Sequence, residues 1–81
     1  MKLTIISPTE EKQVSISWME VNTDIGNFIV QPGHSPIFVI LKKDSPFIFK
    51  ELDDNEEKEI KISSGILNIN NKKALLIISP I

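Results

Sequence analysis

Apolar and polar residues alternate along most of this chain with a period of two, the spacing of a half-buried β-strand. Leu3 and Ile5 share one side of Lys2 to Ile6, and Ser7-Pro8-Thr9 closes that first strand. Glu10, Glu11 and Lys12 could open a helix, but Val14, Ile16 and Trp18 then recur at period two with Ser15 and Ser17 between them. Past Trp18 the apolar side passes to Met19 and Val21, and one extra residue near Trp18-Met19 is what a β-bulge supplies. Asn22-Thr23-Asp24 is turn chemistry, and Gly26 restarts the chain.

The least random stretch runs from Gly26 to Pro36. Pro32 pre-sets φ for the first central position of a tight turn, and Gly33 supplies the positive φ that a type II turn needs next. Ser35-Pro36 then holds the chain extended, because the residue before proline is pushed out of the α region. His34, the one histidine, sits between these two corners. Its ordinary reading is a turn residue bonded to nearby backbone; its sharper reading is a contact at a protein interface.

Ile37 to Leu41 and Phe47 to Phe49 are apolar at every position, which predicts strands buried on both faces. Lys42-Lys43-Asp44-Ser45-Pro46 connects them, and a hairpin is the economical reading. Glu51, Asp53, Asp54, Glu56, Glu57 and Glu59 form an acidic run that reads as a solvated loop. It lacks the central glycine and terminal glutamate of a calcium loop. Ile60, Ile62, Ser64 and Ile66 alternate, and the phase slips again beside Gly65 to Leu67 and Ile69. Asn70-Asn71 is a hairpin signal, Ala74 to Ile78 is a continuously apolar last strand, and Pro80-Ile81 reads as a natural ending. The expected fold is a single all-β domain over residues 1–81: a two-layer β-sandwich or flattened barrel of seven to ten short strands.

Composition narrows the function. The net charge is −2 and there is no arginine, which argues against a nucleic-acid surface. No apolar run approaches the roughly 18 residues of a membrane span, so no direct membrane insertion is expected. There is no cysteine to staple so small a domain or to bind metal, and a single histidine falls short of a metal site. No cofactor site is expected, since no glycine loop for phosphates is present. His34, Ser35 and Asp44 could be drawn as a catalytic triad, but no nucleophile elbow or oxyanion loop accompanies them, so no catalytic residue is assigned. A surplus of apolar positions remains. A two-layer sandwich covers one face of each sheet, so the second face of the all-apolar strands needs loops or another protein. That implies a binding module.

Three segments, in this order, resemble the amino-terminal β-sandwich domain of the epsilon subunit of the rotary F-type ATP synthase, the counterpart of the mitochondrial delta subunit. They are Lys2-Leu3-Thr4-Ile5-Ile6-Ser7-Pro8; Gly26-x-Phe28-x-Val30-x-Pro32-Gly33-His34-Ser35-Pro36; and Ser64-Gly65-Ile66-Leu67 with the hairpin and closing strand after it. The resemblance covers essentially the whole chain and implies a non-catalytic central-stalk (rotor) subunit. Such a subunit binds the gamma subunit and the c-ring, on the cytoplasmic face of the inner or plasma membrane, and couples ion translocation to ATP synthesis. The c-ring end would comprise Gly26, Asn27, Pro32, Gly33 and His34, as turns at one end of the sandwich. The gamma face is expected at Phe38 and Ile40, with Trp18 and Met19 as further candidates. The family often has an acidic residue where Asn27 stands, glycine where Lys42-Lys43-Asp44 follows Leu41, and glycine at Ser64. The carboxy-terminal helical hairpin of many members has no counterpart in the sequence, so its roles are not carried over. A free-standing ligand-binding β-sandwich, for instance for carbohydrate, is the alternative; with no tyrosine and one tryptophan it is poorly supplied with aromatic platforms.

Overall fold

The computed structural model describes residues 1–70 and 72–80. Seven strands follow in order: β1 (Lys2–Ile6), β2 (Glu11–Thr23), β3 (Gly26–Val30), β4 (Ile37–Leu41), β5 (Ser45–Glu51), β6 (Glu57–Asn70) and β7 (Lys73–Pro80). There is no helix among the described residues, hence none long and apolar enough to cross a membrane. Pairing runs β1-β7-β6-β5-β2, and β1 also pairs with β2, so five strands close into a ring. Among the described residues only β1 and β7 run parallel. β3 extends the sheet from β2, and β4 pairs with β6 alone. The fold is all-β, as the alternation predicts. Its strand count is the lowest expected, because β2 and β6 are long, at 13 and 14 residues.

Both long strands change face part-way, and a bulge does it each time. Ile16 pairs with Glu51 and Trp18 with Lys50, leaving Ser17 as the extra residue. Ile16 and Met19 are therefore both fully buried although three residues apart, and Trp18 turns outward. On β6, Ile62 pairs with Pro80 and Ser64 with Ser79, so Ser63 is extra. From there Gly65, Leu67 and Ile69 point inward and Ile66 outward. The slips expected near Trp18-Met19 and beside Gly65 exist, displaced by one or two residues towards the serines.

The hairpin expected between Ile37–Leu41 and Phe47–Phe49 is not formed. β4 pairs with residues 65–69 of β6, and β5 with residues 57–62 of the same strand. The two are halves of one antiparallel partner, broken at a corner where Asp44 takes φ 56 and Ser45 Oγ donates to the Lys42 carbonyl at 2.6 Å. The acidic run is also less of a loop than expected, since β5 reaches Glu51 and β6 begins at Glu57. Asn70 pairs with Lys73 at the end of β6; the rest of the Asn70-Asn71 signal lies outside the described residues, as does Ile81.

The ring encloses one core, in which Leu3, Ile16, Met19, Val21, Val30, Phe47, Ile62, Leu67 and Leu76 have no exposed surface. The Phe47 and Phe49 rings stack with centroids 5.2 Å apart. Phe47 and Phe49 are buried and Ile48 is half-buried, close to expectation. β4 departs from it: Leu41 is buried, but Phe38 and Ile40 lie outside.

Candidate functional site

Registers between neighbouring strands decide which outer side chains meet. Ile40 opposes Ile66, Ile66 opposes Ile77, and Ile77 lies beside Ile6. Four isoleucines thus form one row across β4, β6, β7 and β1, at the cross-strand spacing where side chains touch. One row along, Phe38 opposes Asn68, Asn68 opposes Leu75, and Leu75 lies beside Thr4. Phe38 is 64% exposed, Ile40 69%, Ile77 45% and Ile66 38%. Large apolar side chains in this number belong in a core. Here they form a continuous patch on one sheet face, the mark of an interaction surface.

The other outer face has different chemistry. Trp18 opposes Lys50, which opposes Glu57; Ile29 opposes Glu20, which opposes Ile48, itself opposite Glu59. Asn27 Nδ2 donates to Glu20 Oε2 at 3.2 Å and to Asn22 Oδ1 at 3.0 Å, and Asn22 Nδ2 donates to the Pro46 carbonyl at 3.3 Å. Apolar residues here are interleaved with charges and amides.

The sequence-predicted residues distribute as follows. Phe38 and Ile40 stand on the apolar face. Half-buried Trp18 sits on the opposite, polar face, apart from them. Met19 is corrected to a core residue: the Ser17 bulge turns it inward, where it is fully buried and offers no surface to a partner. The candidate c-ring residues are not one turn cluster. Gly26 and Asn27 begin β3, and Pro32, Gly33 and His34 follow its end, so the two groups lie at opposite ends of a strand roughly 13 Å long at about 3.3 Å per residue. β3 is an edge strand, so both groups border the same side of the sheet. His34 N–H donates to the Gln31 carbonyl at 3.1 Å, and Gly33 has φ 87, which is the expected type II turn. His34 Nδ1 lies 2.7 Å from the Ser35 carbonyl and donates to it, leaving Nε2 free. Gly26 takes φ 143 at the end of the β2–β3 hairpin, whose tip places Ile25 almost wholly in solvent.

Ile6, Ile25, Ile66, Leu75 and Ile77 were not singled out by the sequence reading. The signal was present in the consecutive apolar residues Ile66-Leu67 and Ala74 to Ile78, where alternation demands that every second one face outward. No triad assembles: all five residues of β4 lie between Ser35 and Asp44, and His34 Nδ1 is held by backbone. No group of three His, Cys, Asp or Glu side chains among the described residues could hold a metal ion.

A closed β ring with two appended edge strands, one apolar and one polar outer face, defines an all-β domain of near-barrel form. A family model described as the ATP synthase, Delta/Epsilon chain, beta-sandwich domain matches residues 1–79, and the chain belongs to this family. Among solved structures it is similar to a chain in the Tetrahymena thermophila mitochondrial ATP synthase central stalk/c-ring, with a TM-score of 0.85 and 13% identity. It is also similar to a chain in the Euglena gracilis mitochondrial ATP synthase, OSCP/F1/c-ring in rotational state 1, with a TM-score of 0.79 and 20% identity. The matches cover 98% and 96% of this chain but only 63% and 48% of those chains. No curated protein matches the chain in sequence.

Proposed function

We propose that this chain is a non-catalytic central-stalk subunit of a rotary F-type ATP synthase, held to the gamma subunit by its apolar face and to the c-ring by the border along β3. It couples ion translocation to ATP synthesis mechanically, as a peripheral component on the cytoplasmic face of the inner or plasma membrane. Family membership supports the complex, and the row Ile40-Ile66-Ile77-Ile6 carries the gamma contact. A rotor part has to hold its neighbour through every turn, which a broad apolar face achieves better than exposed ion pairs worth about 0–1 kcal/mol each. The c-ring border supplies polar and main-chain groups: Asn27, the Pro32-Gly33 turn and the free Nε2 of His34. The test is co-expression with the gamma subunit of the same organism. A stable one-to-one complex that survives high salt is expected, because apolar burial is not screened. Failure of the two chains to co-purify would remove the proposal.

A further inference from the structure

β4 has one bonded side and one open side. Lys42 N–H, just past its end, donates to the Asn22 carbonyl of β2 at 2.7 Å, and so points away from β6. Main-chain groups of residues two apart point the same way along a strand, so the N–H and C=O of Ile40 and Phe38 also point away from β6. The Asp44 N–H to Ser63 carbonyl bond agrees, since it aims the main chain of residues 63 and 65 towards the β4–β5 side. β2 turns away at Thr23, and β4 pairs with no strand other than β6. Among the described residues, none hydrogen-bonds the four main-chain groups that Phe38 and Ile40 turn to this side. Alongside them runs an open groove of about 320 Å³, lined by Phe38, Val39 and Ile40 on one wall and Thr23, Asp24 and Ile25 on the other.

Exposed edges are ordinarily protected by charge, proline, a bulge or brevity. β3, the other unpaired edge, starts at Gly26 and runs into Pro32 within two residues of its end. β4 is as short as β3 and is flanked by Pro36 and Lys42, but within the strand it contains no charge, no proline and no bulge, only Ile-Phe-Val-Ile-Leu. A body that covers the isoleucine row and reaches past β4 at Ile40 also removes water from the Phe38 and Ile40 main chain. Those groups then lose their hydrogen bonds unless the covering body returns them at strand spacing. A helix has no such groups to offer, whereas an extended segment does. The wall formed by residues 23–25 leaves room beside β4 for a segment rather than for the sheet of a second body. Asp24 is the one formal charge in the groove lining.

We propose that the open edge of β4 receives one extended segment of the gamma-type partner as an added β-strand, with apolar residues over the Phe38–Ile40 side and a lysine or arginine beside Asp24. This rests on the stalk reading above and adds the mode of attachment. The experiment is residue-resolved amide hydrogen exchange on the full chain, alone and in the complex with its gamma subunit. In the free chain the amides of Val39 and Leu41, bonded to β6, exchange slowly, and those of Phe38 and Ile40 exchange fast. In the complex Phe38 and Ile40 slow by at least about tenfold. Ile40→Pro, which deletes only an outward N–H from the main chain, weakens the complex at least about tenfold more than Ile40→Ala, which keeps it. A complex in which the Phe38 and Ile40 amides still exchange as in the free chain overturns the added strand and leaves the stalk reading standing. No complex at all overturns both. Protection that arises in the chain alone, with a doubling of mass as concentration rises, assigns the edge to a second copy and overturns the proposal as well.

Discussion

Asp54 and Lys58 show how much of the acidic run is organised. Asp54 Oδ1 accepts the Glu56 N–H at 3.0 Å, its Oδ2 lies 3.4 Å from Lys58 Nζ, and Lys58 also bonds Glu51. The Glu56 N–H, helped by Lys58, holds the Asp54 carboxyl below its ordinary 3.8, while the Glu51 carboxylate holds Lys58 above 10.5. The two signs give opposite pH windows. The Asp54 contribution is whole above pH 3.8 and is lost as pH falls through the lowered value; that of Lys58 is whole below 10.5 and is lost as pH rises through the raised value. Urea midpoints of Asp54→Asn and the parent should differ slightly at neutral pH and converge as acid neutralises the carboxylate, whereas the Glu51→Gln difference should close in alkali as well, once Lys58 has lost its proton. Both effects are small, since these groups stand in solvent. A gap that stayed constant across pH would mean that the contacts act without charge. At the same scale, the Pro32-Gly33 turn was legible because proline and glycine each restrict φ locally. Met19 was not: nothing in its own identity says on which side of the bulge it falls.

The strands themselves were legible wherever alternation was unbroken, as in Lys2–Ile6, with Leu3 and Ile5 inward. The partner of β4 was not, because strand pairing is a long-range choice and a five-residue connection reads as a hairpin whether or not it closes one. What decides it is β6, long enough to take β4 and β5 end to end once Ser63 has switched its face. Gly65 stands just beyond that switch, where β4 and β7 come closest to the strand. A Cβ there would meet Ile62 Cδ1 and Leu41 Cδ1 at 3.2 Å and Ile78 Cγ2 at 3.3 Å. Valine ordinarily suits a strand better than glycine. Here the crowding should win, so Gly65→Val is expected to cost about 1–3 kcal/mol, with Gly65→Ala milder because only side-chain tips must give. The measurement is the urea midpoint at unchanged slope. Stabilisation by valine would show that the seam between β4 and β7 is looser than these distances make it.

On the scale of the whole molecule, the two outer faces separate folding from binding. Ile40 and Ile77 contribute to the row while remaining largely exposed, so replacing both with serine should change the stability of the isolated chain by only about 0.5 kcal/mol per site. A bound partner acts by mass action: at a hundred times its Kd it adds about 2.7 kcal/mol to the folded state. For a domain of this size each kcal/mol raises Tm by about 4–8 °C. The parent chain should therefore melt on the order of 10 °C higher with the gamma subunit in excess, and Ile40→Ser/Ile77→Ser should lose most of that gain while melting like the parent alone. Ile48→Ser, on the charged face, is the control and should keep the gain. If the control lost it and the double variant kept it, the gamma contact would belong to the face of Trp18, Glu20 and Asn27, and the isoleucine row would need another occupant.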